Sequence, residues 1–172
     1  MKTSLQWWEE IKTDEHQLNA WLLKQHYGEK TAYTRITELQ NRVPDRKSKQ
    51  ILNLIAEQEL THSEWIEGLL TTRNFIPIAT HSERYWKETL NDSLTLTELF
   101  AVAAHAEGMR LERINAIAND KTAPPDIREV FVKILKDETF HEKAFKALAG
   151  EIAYEAARGN HEKGLASLGL VI

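Results

Sequence analysis

The sequence predicts an all-α protein, a four-helix bundle with a long crossover between its second and third helices. Three observations carry this. Apolar residues recur at helical spacing over long stretches. Only four prolines and seven glycines interrupt the 172 residues. No segment alternates at period two, as a half-buried strand would.

The first helix is expected over about residues 14–41, where Leu18, Leu22, Glu29, Tyr33 and Ile36 share a face. A second is expected at about 45–73, opened by "VPDRK", in which Pro44 and Asp45 are good start signals. Its inward row reads Leu52, Ile55, Glu59, His62, Ile66, Leu69. The third, at about 95–119, starts from Ser93 or Thr95 as cap and ends in the polar "NDKT"; its face carries Leu96, Phe100, Ala103, Glu107, Ile114 and Ile117. The fourth follows "APPD" at about 126–149, with continuation expected to Arg158 before Gly159. Its row is Phe131, Ile134, Glu138, His141, Phe145, Leu148.

Short turns join helices one and two, and three and four, as antiparallel hairpins require. The connection between them, "FIPIATHSERYWKETLNDSL", is long enough to run the length of a bundle, with a short helix near 82–90. The tail "GNHEKGLASLGLVI" has the pattern of a short C-terminal helix whose apolar end would dock on the bundle or on a second subunit. The whole of 1–172 reads as one domain.

Composition narrows the function. Hydrophobic residues at 42% and charged ones at 28% are those of a soluble globular chain. A net charge of −4, with no basic stripe, argues against nucleic acid as a partner. No apolar run is long enough for a membrane span, and "MKTSLQWWEE" lacks the apolar core of a signal peptide, so a cytoplasmic location is expected. The absence of cysteine excludes thiolate-bound zinc, cysteine-held iron–sulfur clusters and a four-thiolate iron centre, leaving oxygen and nitrogen as metal ligands.

The polar residues on the apolar rows raise the functional question, because an unpaired buried charge costs several kcal/mol or more. Each of the four helices places a glutamate on its inward face near mid-length, and two add a histidine one turn later. A bare Glu-x-x-His pair is weak evidence, since chance yields about one in a chain of this composition. Register is stronger evidence. Glu29 precedes Glu59 by 30 residues and Glu107 precedes Glu138 by 31, which sets all four acids at one level of an antiparallel bundle. Two divalent cations would balance four carboxylates, and the mixed oxygen/nitrogen set suits iron or manganese, with zinc also able to occupy it.

With Glu29, "ELTH" (Glu59, His62), Glu107 and "ETFH" (Glu138, His141), the sequence resembles the ferritin-like di-iron carboxylate superfamily, nearest in organisation to rubrerythrin-type and bacterioferritin-type domains. The resemblance covers roughly residues 14–150 and implies an up-down-down-up bundle. It implies that Glu59 and Glu138 bridge two metal ions, that Glu29 and Glu107 are terminal ligands, and that His62 and His141 bind one ion each. Asp137 and Gln58, each preceding a Glu-x-x-His, are candidates to orient those rings across the bundle. Rubrerythrin-type sites carry a further glutamate one turn after the third-helix ligand; here that position is Arg110. The exchange makes peroxide reduction less secure and offers a partner for a ligand carboxylate, unless Arg110 snorkels outward.

Tyr33, one turn past Glu29, is a candidate to hydrogen-bond a ligand or quench radicals, beside a plain packing role. His16, His81 and His161 read as surface residues, His105 as facing away from Glu107, and His26 as a packing residue. The five tryptophans read as core or interface anchors. Glu57, Glu64, Glu67, Glu112 and Glu142 fit solvated surfaces.

The resemblance implies a redox enzyme in which a di-iron site reacts with O2 or peroxide and draws electrons from a separate donor. Iron oxidation for storage or detoxification is the alternative on the same centre, and a metal-free helical interaction module the alternative from another class. A homodimer is expected.

Overall fold

In the computed structural model the described residues are 2–77, 84–91 and 93–170. Among them the chain is helical throughout, with no strand: α1 Ser4–Ile11, α2 Glu15–Arg42, α3 Arg46–Thr72, α4 Arg84–Thr89, α5 Leu96–Asn119, α6 Pro125–Ala149 and α7 Glu151–Ser167. The four long helices start and stop within a residue or so of their predicted bounds. No helix of the described residues is long and apolar enough to cross a membrane.

Local chemistry explains the starts. Asp14 accepts from the Gln17 backbone N–H at 3.0 Å, and Asp45 from that of Ser48 at 2.8 Å. Thr95, not Ser93, caps α5, in a reciprocal box with Glu98. Pro125 stands in the first turn of α6, where its missing N–H costs nothing. Gly150, at φ +75°, ends α6, so the predicted continuation to Arg158 is instead a break followed by a new helix. α7 then runs on through Gly159, whose helical penalty of roughly 1 kcal/mol its packing outweighs. The α1 helix has a signal the sequence reading overlooked: Thr3 and Gln6 form a capping box just ahead of Trp8 and Ile11, which are buried one turn apart.

The long helices pair antiparallel. Gln40 on α2 bonds Asn53 on α3, while His26 lies 3.1 Å from Glu67 further along, so rising numbers meet falling ones. On α5 and α6, Phe100 meets Phe145 and the Ala118 carbonyl accepts from Arg128. Between the pairs, Gln58 meets His141 and His62 meets Asp137. α1 closes one end through Trp8, whose indole N–H donates to Asp120 at 2.9 Å. α7 packs against α4 and α5.

Two apolar clusters result. One gathers Leu22, Ile66, Ile114, Phe131 and Ile134 with Trp8 and Trp21; the other gathers Ile36, Leu52, Ile55, Phe100 and Phe145. Between them in sequence on every long helix fall Glu29, Glu59 with His62, Glu107, and Glu138 with His141. A polar layer is thus buried between two greasy ones, where water cannot screen it.

Trp8 and Trp21 are buried, and Trp7 and Trp65 pack against the same cluster. Two readings are corrected. His161 is no surface residue: it is 5% exposed, because α7 turns it onto α4 and α5. Tyr33 is 37% exposed, because the flank of α2 that packs at His26 is open at the level of Tyr33. His105 is buried and faces away from the acids as expected, its Nε2 2.8 Å from the Tyr154 carbonyl. His16 is exposed, and His81 lies outside the described residues.

Candidate metal centre

Helical repetition alone delivers the side chains. On α3 and α6 the polar pair takes two consecutive places in an apolar row, so Glu59, His62, Glu138 and His141 are all 0% exposed. Glu29 from α2 and Glu107 from α5 complete the layer at 1% and 5%.

Their atoms converge in two overlapping groups. Glu29, Glu59, His62 and Glu138 each offer a ligand atom, all within 4.8 Å of one another; Glu59, Glu107, Glu138 and His141 do the same. Glu59 and Glu138 belong to both. Each of these two carboxylates points one oxygen at each imidazole: Glu138 Oε1 lies 3.4 Å from His62 Nδ1 and its Oε2 3.6 Å from His141 Nδ1. Glu59 Oε1 lies 3.2 Å from His141 Nδ1 and its Oε2 3.9 Å from His62 Nδ1.

The rings are held from behind. His62 Nε2 lies 3.2 Å from Asp137 Oδ2, and His141 Nε2 lies 3.0 Å from Gln58 Oε1. Each anchor comes from the opposite helix, and each fixes a tautomer in which Nδ1 has a lone pair facing inward. Those two Nδ1 atoms, with both oxygens of Glu59 and of Glu138, have no hydrogen-bond partner. Orphaned buried groups of this kind cost about 1–3 kcal/mol each, and more when charged. An oxygen/nitrogen-seeking cation would satisfy all six at once, so the residues present fit a pair of metal ions.

Arg110 enters the same layer. Its Nη2 donates to both oxygens of Glu29 at 2.5 Å and stands 3.0 Å from Glu138 Oε1 without the alignment of a hydrogen bond. Its Nη1 lies 3.4 Å from Glu107 Oε2 and 3.6 Å from Glu59 Oε2. One guanidinium touches all four acids. The sequence offers Arg110 a partner among the ligand carboxylates; its reach to every acid depends on the spacing between the helices.

Ionisation follows from this setting. Burial, then the charge of Glu138, pushes Glu59 and Glu107 well above the usual carboxylate range, Arg110 only partly offsetting it. Burial also opposes ionisation of Glu138, but the charge of Arg110 leads the causes that outweigh it and hold that group well below its usual range. For Arg110 the desolvation penalty is outweighed by Glu138, Glu29, Glu59 and Glu107, which keep it charged.

The other candidates fall outside the layer. Tyr33 is exposed, and His26 is turned to Glu67 on α3. A second buried polar cluster went unread: Tyr85 on α4 meets His161 Nδ1 at 2.8 Å, and the ring of His105 lies stacked between those of Tyr154 and His161. Its signal was the row Tyr154, Ala157, His161, Gly164, Leu165, legible only if the helix is carried through Gly159.

An all-helical chain with a buried layer of four glutamates and two Glu-x-x-His pairs is of the carboxylate–histidine class that can hold a dinuclear metal centre. The Rubrerythrin family model matches residues 21–149, and the chain belongs to that ferritin-like di-iron carboxylate family, which binds dinuclear iron. No curated protein and no solved structure matches it.

Proposed function

We propose that the protein is a cytoplasmic di-iron oxidoreductase that reacts with O2 or peroxide and takes electrons from a separate donor protein. One observation carries the reading: two imidazoles, each anchored from behind, and two carboxylates, each aimed at both imidazoles, meet with their inward atoms unpartnered. The pairings of α2 with α3, α3 with α6 and α5 with α6 support a ferritin-like up-down-down-up bundle around them.

In this reading Glu59 and Glu138, which belong to both groups, would hold both ions, while Glu29 and His62 would complete one position and Glu107 and His141 the other. Iron is the favoured metal, manganese or zinc being compatible with the same donors. A bound iron pair supplies the electrons for reduction of the oxidant. The chain's own contribution is geometry and dryness. Asp137 and Gln58 orient the rings, and the two apolar clusters exclude water. With no cysteine in the chain, a thiolate-held iron relay within it is unavailable, which is why the donor is placed on another protein.

Elemental analysis of protein purified without chelator is expected to give two metal ions per chain, and the iron-loaded absorption spectrum to change on adding peroxide or O2. A protein that takes up no iron, manganese or zinc would remove the reading. Metal loading without any oxidant response would favour a binding role over an oxidoreductase one. Sedimentation separates the storage alternative, which needs a closed cage, from the homodimer favoured here.

The contact of Arg110 with all four acids is the observation that favours the metal-free alternative, since it supplies some positive charge without metal. Arg110 nonetheless leaves both oxygens of Glu59 and of Glu138, and both imidazole Nδ1 atoms, without a hydrogen bond.

A further inference from the structure

The two halves of the centre are built alike in their histidines and central glutamates but differ in what Arg110 does to them. Toward the Glu29–His62 half, Nη2 occupies both oxygens of Glu29 at 2.5 Å. Toward the Glu107–His141 half, its sole contact with the outer acid is Nη1 to Glu107 Oε2 at 3.4 Å. Arg110 is held by these acids, and its side chain is 18% exposed. A metal ion at the Glu29–His62 position must take a carboxylate from the guanidinium that now holds it; an ion at the Glu107–His141 position need not.

Charge count leads the same way. With all four carboxylates deprotonated, as metal ligands must be, they and one guanidinium sum to −3, so one divalent ion leaves −1, whereas a second with Arg110 still seated leaves +1. The first ion is strongly favoured and the second is opposed.

We propose that Arg110 is a built-in cation that makes the two metal positions unequal: the Glu107–His141 position fills first and tightly, and the Glu29–His62 position fills only as Arg110 yields Glu29. This rests on the metal-centre reading above but makes a separate claim about order and asymmetry. Arg110 acts as a specificity-determining residue for how many ions are held and in what sequence.

The test is titration of metal-stripped full-length protein with Zn(II), followed by calorimetry. Wild type is expected to bind one ion tightly and a second at least about ten-fold more weakly. The variant His141→Ala should lose the tight event, weakening it by about 10–100-fold, while His62→Ala should leave it within about three-fold and lose the weak one. Arg110→Gln should bring the two events within about three-fold of each other. The histidine pair keeps the proposal testable if Arg110→Gln does not fold, because both histidine variants retain Arg110. Two wild-type ions of equal affinity overturn the proposal and leave the metal centre standing. So does loss of the tight event in His62→Ala in place of His141→Ala. No binding by any of the proteins overturns the metal centre and the proposal together.

Discussion

His62 Nε2 lies 3.2 Å from Asp137 Oδ2, so the residue just before one Glu-x-x-His pair holds the histidine of the other. The relation is reciprocated by Gln58 and His141 at 3.0 Å. Each helix of this central pair thus supplies both a ligand candidate and the anchor for its neighbour's. Replacing Asp137 or Gln58 by Ala is expected to weaken Zn(II) binding by about 10–100-fold with the helical circular dichroism unchanged. Unaltered affinity in both variants would show that the rings are positioned by packing alone.

Glu59 is fully buried with both oxygens lacking a hydrogen bond, and its neighbours include three other carboxylates. In metal-free protein, burial holds the Glu59 carboxyl above its usual range, so folding must bury its charge or take up a proton, and Glu59→Gln removes that cost at nearly constant shape. It is expected to raise stability by about 1–2 kcal/mol, or roughly 3–8 °C in Tm, while abolishing tight binding of at least one ion. Thermal melts with and without Zn(II) check both halves. A metal-free variant melting below wild type would mean that the charge of Glu59 is already compensated.

Gly164 sits where α7 crosses α4. A Cβ there would lie 2.6 Å from Tyr85 Cδ2 and 3.0 Å from Thr89 Cγ2, both on α4. Gly164→Ala must push Tyr85 off His161 or lift α7, and is expected to cost about 1–3 kcal/mol. Near-ultraviolet circular dichroism and Tm report it; an unchanged Tm would show that the α4–α7 contact is loose.

His161 is buried against Tyr85 on α4 and His105 on α5, with no acidic partner in that contact. Burial, with a smaller contribution from His105, lowers its pKa from 6.5 to about 4. The unfolded chain therefore binds a proton that the folded one refuses across that window. Stability rises with pH between about 4 and 6.5 and is lost as pH falls through it. Acidification from pH 7 to 5 is expected to cost wild type on the order of 1 kcal/mol more than His161→Gln, read by denaturant titration at each pH. Parallel pH profiles for the two proteins would exclude His161 as the source.

How far the sequence reached depends on what each residue answers to. The rows on α3 and α6 were legible because Glu59, His62, Glu138 and His141 occupy places that local periodicity alone assigns to the interior. Their near-equal spacings from Glu29 and Glu107 likewise placed all four acids at one depth. The α1 helix was missed although its capping box was present, because a short segment has too few turns for periodicity to stand out. His161 and Tyr33 were misjudged because burial on a helix flank depends on which neighbour covers it. α4 and α5 cover the one, and α2 lies open at the other.

The sequence by itself determined the helical class, the level of the acids and the identity of the inward residues, since these follow from 3.6-residue repetition and chain length between repeats. The tertiary structure decided where the long, flexible and shared groups go. The anchoring of each imidazole from the opposite helix, and the reach of Arg110 to four acids on four helices, depend on distances between helices. No spacing along one chain encodes those distances.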